Sequence, residues 1–200
     1  MNILFVCTGN TCRSPMAEAL LKQKVPAAAV QSAGIFAAHN QRPNDQAIEV
    51  LKQKGISINT ASQPVTDELL RWADLVLTMT TGHKQSLIME FPDFQEKYYT
   101  LKEYVSQADE DRWKELTQRR ADYEEKRARL MQEFRHLDGK QLEQELEKHL
   151  QSEWEKIRQL EAALIDYDIA DPFGGGRTIY EQTLTELETY VNKLVEKLDS

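Results

Sequence analysis

The sequence has few cysteines and no long apolar run. Cys7 and Cys12 are its two cysteines, too few for a disulfide framework or a cysteine zinc site. No stretch approaches the roughly 18 apolar residues of a membrane-spanning helix, and the N-terminus lacks the basic start of a signal peptide. We therefore expect a cytoplasmic protein with reduced thiols and without a membrane partner.

Basic residues are also scarce relative to acidic ones. Lys and Arg total 25 against 33 Asp and Glu, and the formal net charge is -8. Nucleic-acid binding depends on cationic side chains that neutralise phosphates, and an anionic membrane surface repels an acidic protein. The composition thus argues against nucleic-acid and membrane partners. The length is enough for one domain with a sizeable core.

Short apolar segments alternate with amphipathic ones over residues 1–105. This alternation is typical of βαβ units and predicts an α/β fold whose parallel sheet is covered on both faces. The predicted strands are 3–6, 29–32, 74–78 and 98–101. The predicted helices are 14–24, 43–54, 66–72, 81–90 and, near the C-terminus, 178–198.

Residues 106–166 differ in composition, being rich in Glu, Arg, Lys, Gln and Leu and free of proline. Two stripes at helical spacing predict an antiparallel helical hairpin with a tight glycine turn at Asp138-Gly139, inserted into a single domain that spans 1–200. We expect Trp113 and Trp154 in the hairpin core. The stripes consist of Trp113, Leu116, Tyr123, Leu130, Phe134 and Leu137, then Leu142, Leu146, Leu150, Trp154, Ile157, Leu160 and Leu164.

The segment CTGNTCRS, Cys7 to Ser14, lies between the first predicted strand and the first predicted helix. Open α/β sheets bind ligands at this edge, where loop amides and a helix N-terminus attract anions. Gly9 and Asn10 tolerate the positive φ of such a loop, and Arg13 offers a planar fork for two phosphate oxygens. The same field is expected to keep Cys7 as a thiolate.

A thiolate at the floor of a phosphate-binding loop indicates phosphoryl transfer through a phosphocysteine. The loop lacks the lysine of a nucleotide-binding P-loop, so an ATPase is excluded. An alternative is that Cys7 is only a buried residue at a strand end.

The segment VCTGNTCRSPMAEAL resembles the signature of the low-molecular-weight protein phosphatases, and Asp171-Pro172-Phe173 resembles that family's general-acid loop. The resemblance covers about residues 1–105 and 167–198. It implies a flavodoxin-like, four-stranded parallel sheet. Thr11, with SAGIFA, ADLVLTMT, HKQ and LKEYV, is similar to the bacterial protein-arginine phosphatases.

This resemblance implies a role for each matching residue. Cys7 would be the nucleophile, Arg13 would clamp the phosphoryl group, and Asp171 would act as general acid and then as base. Ser14 would donate to the Cys7 sulfur, and Phe173 would form an aromatic wall. The substrate-binding loop would comprise Thr8, Gly9, Asn10, Thr11, Cys12, Arg13 and Ser14, with no metal or other cofactor.

The implied reaction is hydrolysis of phosphoarginine on proteins, opposing a protein arginine kinase, with a part in the stress response. A hydroxyl at Thr11 suits a polar phosphoguanidinium, whereas phosphotyrosine relatives usually carry Ile or Leu there. One such contact shifts selectivity by about 1–3 kcal/mol, so a protein-tyrosine phosphatase is the alternative. An arsenate reductase is less favoured because no cysteine follows Cys12. A non-enzymatic coiled-coil scaffold is a further alternative.

Other residues keep two interpretations each. Cys12 either packs in the core or, as the resemblance implies, traps oxidised Cys7 as a reversible disulfide. Asp166 and Asp168 compete with Asp171 for the general-acid role. The hairpin is either a tolerated surface insertion or an element that binds a helical partner, self-associates or restricts the acid loop. The histidines, expected to be structural or solvent-facing, are His39, His83, His136 and His149.

Overall fold

The computed structural model describes residues 1–163 and 166–199, with side chains for all of these except residues 107–111, 113 and 163. These residues form two compact units, one made of 1–105 and 167 onward and the other of 106–166. None of the helices in the described ranges is long and apolar enough to span a membrane.

The first unit contains a four-stranded sheet of order β2-β1-β3-β4, in which every pair of neighbours is parallel. This confirms the predicted α/β fold. The strands are β1 (Asn2–Cys7), β2 (Ala29–Gly34), β3 (Leu75–Thr78) and β4 (Tyr98–Thr100).

Six helices and one 3-10 helix complete this unit. Predicted and observed bounds differ by two residues or fewer; for example, the helix predicted from Pro43 begins after Asn44, whose side chain accepts from Gln46 N and caps it. The helices are α1 (Arg13–Lys24), α2 (Asp45–Gln53), α3 (Asp67–Trp72), α4 (Thr81–Glu90), α5 (Leu101–Val105) and α8 (Arg177–Leu198), with the 3-10 helix at Pro92–Lys97.

Side chains of β1 alternate between two apolar clusters, because successive residues of a strand point to opposite faces. Ile3 and Phe5 join the cluster that includes residues of α1, α2 and α8, while Leu4 and Val6 join the cluster that includes residues of α3 and α4. The central strand is therefore buried on both faces. Its last residue, Cys7, is held in place at the carboxyl edge of the sheet.

The second unit is the predicted pair of helices, α6 (Gln107–Glu133) and α7 (Gly139–Ala163). Lys126 pairs with Glu153 across the two helices at 2.9 Å. The apolar positions buried in this unit are Leu116, Leu130, Leu150 and Ile157.

Two details of the hairpin prediction are wrong. The first helix ends at Glu133, so Phe134 and Leu137 lie in the connection rather than in the helix. The connection has five residues, between Glu133 and Gly139, and is not a tight glycine turn. Its last residue, Asp138, caps α7, because its Oδ1 accepts from Gln141 N at 2.9 Å.

The expected packing of Trp154 in the hairpin core is also revised. Trp154 is 47% exposed, with its ring 5.8 Å from that of Tyr123, so it is not buried in a core. The predictions for the Trp113 side chain and for Leu164 fall outside the described residues.

Candidate active site

The loop from Cys7 to Ser14, called the phosphate loop below, is attached to the end of β2. Ile35 N donates to Cys7 O at 3.0 Å, and Phe36 N donates to Thr8 O at 2.9 Å. A Cβ at Gly34 would lie 2.6 Å from Thr8 O, which no side chain tolerates. Gly34, the glycine of SAGIFA, therefore permits this close approach.

Two groups of the phosphate loop face the Cys7 sulfur. Ser14 Oγ lies 3.0 Å from Cys7 Sγ, and Asn10 N donates to Sγ at 3.3 Å. The Asn10 N–H points its positive end at the sulfur, and the Ser14 hydroxyl can donate to it as well. The arrangement suits a thiolate that attacks phosphorus and is later released as a leaving group.

Asn10 holds the phosphate loop in its strained shape. Its φ is 55°, and its amide nitrogen donates to Ser14 Oγ and Ser32 Oγ, each at 2.9 Å. Its Oδ1 accepts from Gln63 N at 3.0 Å. Ser32 in turn donates to the buried carboxylate of Glu18 at 2.6 Å. Ser14 Oγ accepts the hydrogen bond from Asn10, and its single proton has two acceptors within reach, Cys7 Sγ at 3.0 Å and Ala33 O at 3.3 Å.

Arg13 joins the phosphate loop to the loop defined here as the acid loop, residues 168–176. Its Nη2 pairs with Asp171 Oδ2 at 2.9 Å, and its Nη1 donates to Ile169 O at 3.0 Å. The Arg13 side chain is 5% exposed, whereas that of Asp171 is 52% exposed. The buried guanidinium of Arg13 therefore links the phosphate loop to the solvent-accessible carboxylate of Asp171.

His83, in the first turn of α4, also contacts the phosphate loop. Its Nε2 lies 2.9 Å from Thr8 Oγ1, while its buried Nδ1 has no hydrogen-bond partner in the described part of the chain. Burial, with a smaller contribution from the Arg13 charge, lowers the pKa of His83 to about 4. The ring is therefore neutral at pH 7 and adds no charge to the site.

Cys12 has a different environment from Cys7. Its sulfur lies 3.2 Å from the Tyr180 hydroxyl, and burial raises the pKa of the Cys12 thiol. Burial likewise raises the pKa of Tyr180. Both cysteines are free thiols, and Cys12 is kept protonated, which favours Cys7 as the nucleophile.

Residues 2–152 match the family model described as low molecular weight phosphotyrosine protein phosphatase. The chain belongs to this family. The part of this phosphatase that carries Asp171 lies beyond the matched range, but full-length relatives extend the similarity over it.

Two of those relatives are protein-arginine-phosphatases. One, from Geobacillus stearothermophilus, is 36% identical over 199 residues, which cover 99% of this chain and 96% of the relative. The other, from Bacillus subtilis, is 43% identical over an alignment of 202 positions that covers 99% and 97%. The low molecular weight protein-tyrosine-phosphatase PtpB of Staphylococcus aureus is 42% identical over 110 residues, 55% of this chain and 78% of PtpB.

Solved structures give the same result. The YwlE arginine phosphatase from Geobacillus stearothermophilus has a TM-score of 0.67 at 36% identity, with 99% of this chain and 92% of that one covered. A YwlE arginine phosphatase C7S mutant with a phosphorylated active-site serine has a TM-score of 0.68 at 34% identity, with 100% and 97% covered.

The fold brings the predicted site residues together in two sets of direct contacts. Cys7, Asn10 and Ser14 form one bonded cluster, and Arg13 bonds to Asp171. The ring of Phe173 is 73% exposed, and its backbone N donates to Asp171 Oδ1 at 3.2 Å. The carboxylate of Asp168 instead accepts from Thr81 N at 2.7 Å, so it anchors the acid loop.

Sequence reasoning missed three polar residues that support the site. His83 was expected to be structural or solvent-facing, yet it contacts the phosphate loop. Glu18 and Ser32 were not singled out. Two signals were available: Glu18 lies one helical turn after Ser14 on the same face of α1, and His83 follows the carboxyl end of β3, the edge where the site forms. The described residues contain no group of three or more His, Cys, Asp or Glu placed to hold a metal ion.

Proposed function

We propose that this phosphatase hydrolyses phosphoarginine on proteins through a phosphocysteine formed on Cys7, with Arg13 and Asp171 as its catalytic partners. One observation carries the proposal. The buried guanidinium of Arg13 extends from the phosphate loop to Asp171, with 2.9 Å between Nη2 and Oδ2. This contact brings the proposed nucleophile Cys7, the anion clamp Arg13 and the proton donor Asp171 together from distant parts of the sequence. The full-length arginine phosphatases among its relatives support the substrate.

In the first step, Cys7 Sγ attacks phosphorus in line, an S–P bond forms and the P–N bond breaks. Arg13 and the amides of Thr8, Gly9, Asn10, Thr11 and Cys12 balance the phosphoryl charge. Asp171, as a carboxylic acid, gives its proton to the departing guanidine nitrogen. The ring of Phe173 is exposed beside Asp171 and can stack on the planar guanidinium.

In the second step, water attacks the phosphocysteine and the S–P bond breaks. Asp171, now a carboxylate, takes a proton from the water and is ready for the next cycle. Ser14, 3.0 Å from Sγ, donates a hydrogen bond to the departing thiolate. The balance is one water consumed, with arginine and inorganic phosphate released.

Thr11 supports phosphoarginine over phosphotyrosine. Its carbonyl accepts from Asn44 N at 2.9 Å, which fixes the backbone, and its side chain is partly exposed at the loop. A hydroxyl there can bond to a guanidinium nitrogen, whereas a branched apolar residue would favour a phenol ring. We propose that hydrolysis takes place in the cytoplasm, where a thiol nucleophile stays reduced. A part in a stress response stays a prediction.

The experiment compares kcat/KM on a phosphoarginine protein and a phosphotyrosine peptide for the wild type, Thr11→Ile and the control Thr11→Ser. The wild type is expected to prefer phosphoarginine. Thr11→Ile should shift the preference toward phosphotyrosine about tenfold or more, and Thr11→Ser should keep it. A wild type that prefers phosphotyrosine would refute the proposed substrate.

A further inference from the structure

The motif LKEYV contains a buried lysine that the proposed reaction does not use. Lys102 lies in α5, directly after β4, and its side chain is 7% exposed. Its Nζ pairs with Glu186 Oε1 at 2.6 Å and lies 5.3 Å from the centroid of the Tyr190 ring. A buried charge is costly unless it is paired and hydrogen-bonded, so we examine what the buried ammonium group of Lys102 contacts.

The remaining bond of Lys102 reaches the acid loop. Its Nζ donates to Asp168 O at 2.7 Å. The next residue, Ile169, donates through N to Met79 O at 2.8 Å and accepts from Arg13 Nη1 at 3.0 Å. The backbone is therefore fixed from three sides immediately before Asp171.

After these anchors, the Asp171 carboxylate is held by Arg13 through Oδ2 and by Phe173 N through Oδ1. The side chain of Asp171 is half exposed, and Gly174 adopts a φ of 78° on the exposed part of the loop. The position of the Asp171 carboxyl group relative to the leaving group also depends on how firmly residues 168 and 169 are held. A misplacement of about 1 Å can cost a large factor in rate.

We propose that Lys102 is a positioning residue for the general acid, acting through the carbonyl of Asp168 and held in place by Glu186. This inference rests on the proposed function, since it assumes that Asp171 protonates the leaving group. Lys102 does not touch the substrate. Its effect is to keep the start of the acid loop at the distance from the phosphate loop that proton transfer requires.

The test uses two aryl phosphates that differ in their need for a proton. Phenolate, with a conjugate-acid pKa of about 10, needs protonation to leave, whereas p-nitrophenolate leaves at neutral pH without it. The measured quantity is kcat/KM, which reports formation of the phosphocysteine. For Lys102→Met we expect a fall of about tenfold or more on phenyl phosphate and a much smaller fall on p-nitrophenyl phosphate.

Two further variants keep the test decisive. The double variant Lys102→Met/Glu186→Gln removes both charges, so no buried charge is left unpaired, and it should show the same split between substrates. Lys84→Met is the matched control, because the contacts described for Lys84 run to Glu103 and Tyr99 and not to the acid loop. It should leave the ratio of the two kcat/KM values unchanged.

An equal fall on both substrates, or no fall in either Lys102 variant, would overturn the positioning role and leave Lys102 a structural residue. Failure of the proposed function has a different signature. A wild type that hydrolyses both aryl phosphates but not phosphoarginine would refute the proposed substrate and leave the Lys102 comparison intact. A wild type inactive on all three substrates would refute the proposed reaction, and the positioning role would fall with it.

Discussion

Asp171 forms an ion pair with the guanidinium of Arg13, with Oδ2 2.9 Å from Nη2. In the proposed mechanism the same guanidinium clamps the phosphoryl group. Substrate and Asp171 would then compete for Arg13, and binding of the substrate would release Asp171 toward the leaving group. Such competition would couple occupancy of the phosphate loop to the availability of the acid.

Replacing Asp171 by Asn should strengthen anion binding while it abolishes acid catalysis. The Kd for orthovanadate should fall about tenfold, because one competing negative charge is gone. On phosphoarginine, kcat/KM should fall by about 10²–10⁴. Asp67→Asn, which removes the carboxylate of an exposed Arg71 pair at 3.2 Å, is the control. Weaker or unchanged orthovanadate binding in Asp171→Asn would argue against the competition.

Replacing Asn10 should lower the free energy of unfolding far more than replacing another asparagine of the same backbone conformation. Asn10→Gly keeps the positive φ but removes bonds to Ser14, Ser32 and Gln63 N. Denaturant unfolding should show a loss of about 2 kcal/mol or more. Asn40, with a φ of 60° and an exposed side chain, is the matched site, and Asn40→Gly should change stability by less than about 0.5 kcal/mol. Equal losses would mean that the Asn10 side chain adds nothing.

His83 should make the fold less stable in mild acid. Its pKa is about 4 in the folded state against 6.5 for an ordinary histidine, so between these values the unfolded chain binds a proton that the folded chain does not. Stability is lost as pH falls from about 6.5 toward 4. From pH 7 to pH 5 this one group should cost about 2 kcal/mol.

The measurement compares the free energy of unfolding at pH 7 and pH 5 for the wild type and His83→Gln. The variant should lose less stability over this range, by about 2 kcal/mol. His39→Gln is the control, because His39 is exposed. The same pH dependence in the wild type and His83→Gln would exclude a neutral, buried His83.

Removing the helical hairpin should leave the chemistry intact. Residues 106–166 form their own compact unit, and the site residues lie outside it. With residues 107–165 replaced by a short glycine-serine linker, kcat/KM on free phosphoarginine should stay within about threefold of the wild type, since the residues proposed for the chemistry all belong to the other compact unit. Loss of activity in a folded variant would make the hairpin part of the catalytic apparatus. Loss confined to protein substrates would indicate a docking element.

The phosphate loop could be predicted from sequence because its residues are contiguous. Cys7, Asn10 and Arg13 lie within one strand–loop–helix segment, where backbone geometry alone determines their neighbours. Glu18, Ser32 and His83 were not assigned, because their place at the site arises from the packing of α1, β2 and α4 around the sheet edge. Ser32 and His83 contact the phosphate loop, and Glu18 accepts from Ser32.

The hairpin shows a second limit of sequence analysis. Apolar periodicity located both helices, but it continued through Phe134 and Leu137, beyond the end of α6 at Glu133. Periodicity reports which side chains prefer burial and not where the backbone hydrogen bonds stop. Trp154 fits the same stripe and is nevertheless 47% exposed, because a two-helix unit cannot bury a wide apolar face on both sides.

The central claim is that phosphorus is transferred to Cys7. Rapid quenching of the enzyme during turnover of a phosphoarginine protein, followed by trypsin digestion and mass spectrometry, tests it directly. We expect one phosphoryl group on the peptide of residues 1–13, assigned to Cys7 rather than Cys12 by fragmentation, and none in Cys7→Ala at the same time point. A phosphoryl group on Cys12 or His83, or turnover that survives Cys7→Ala, would contradict the account.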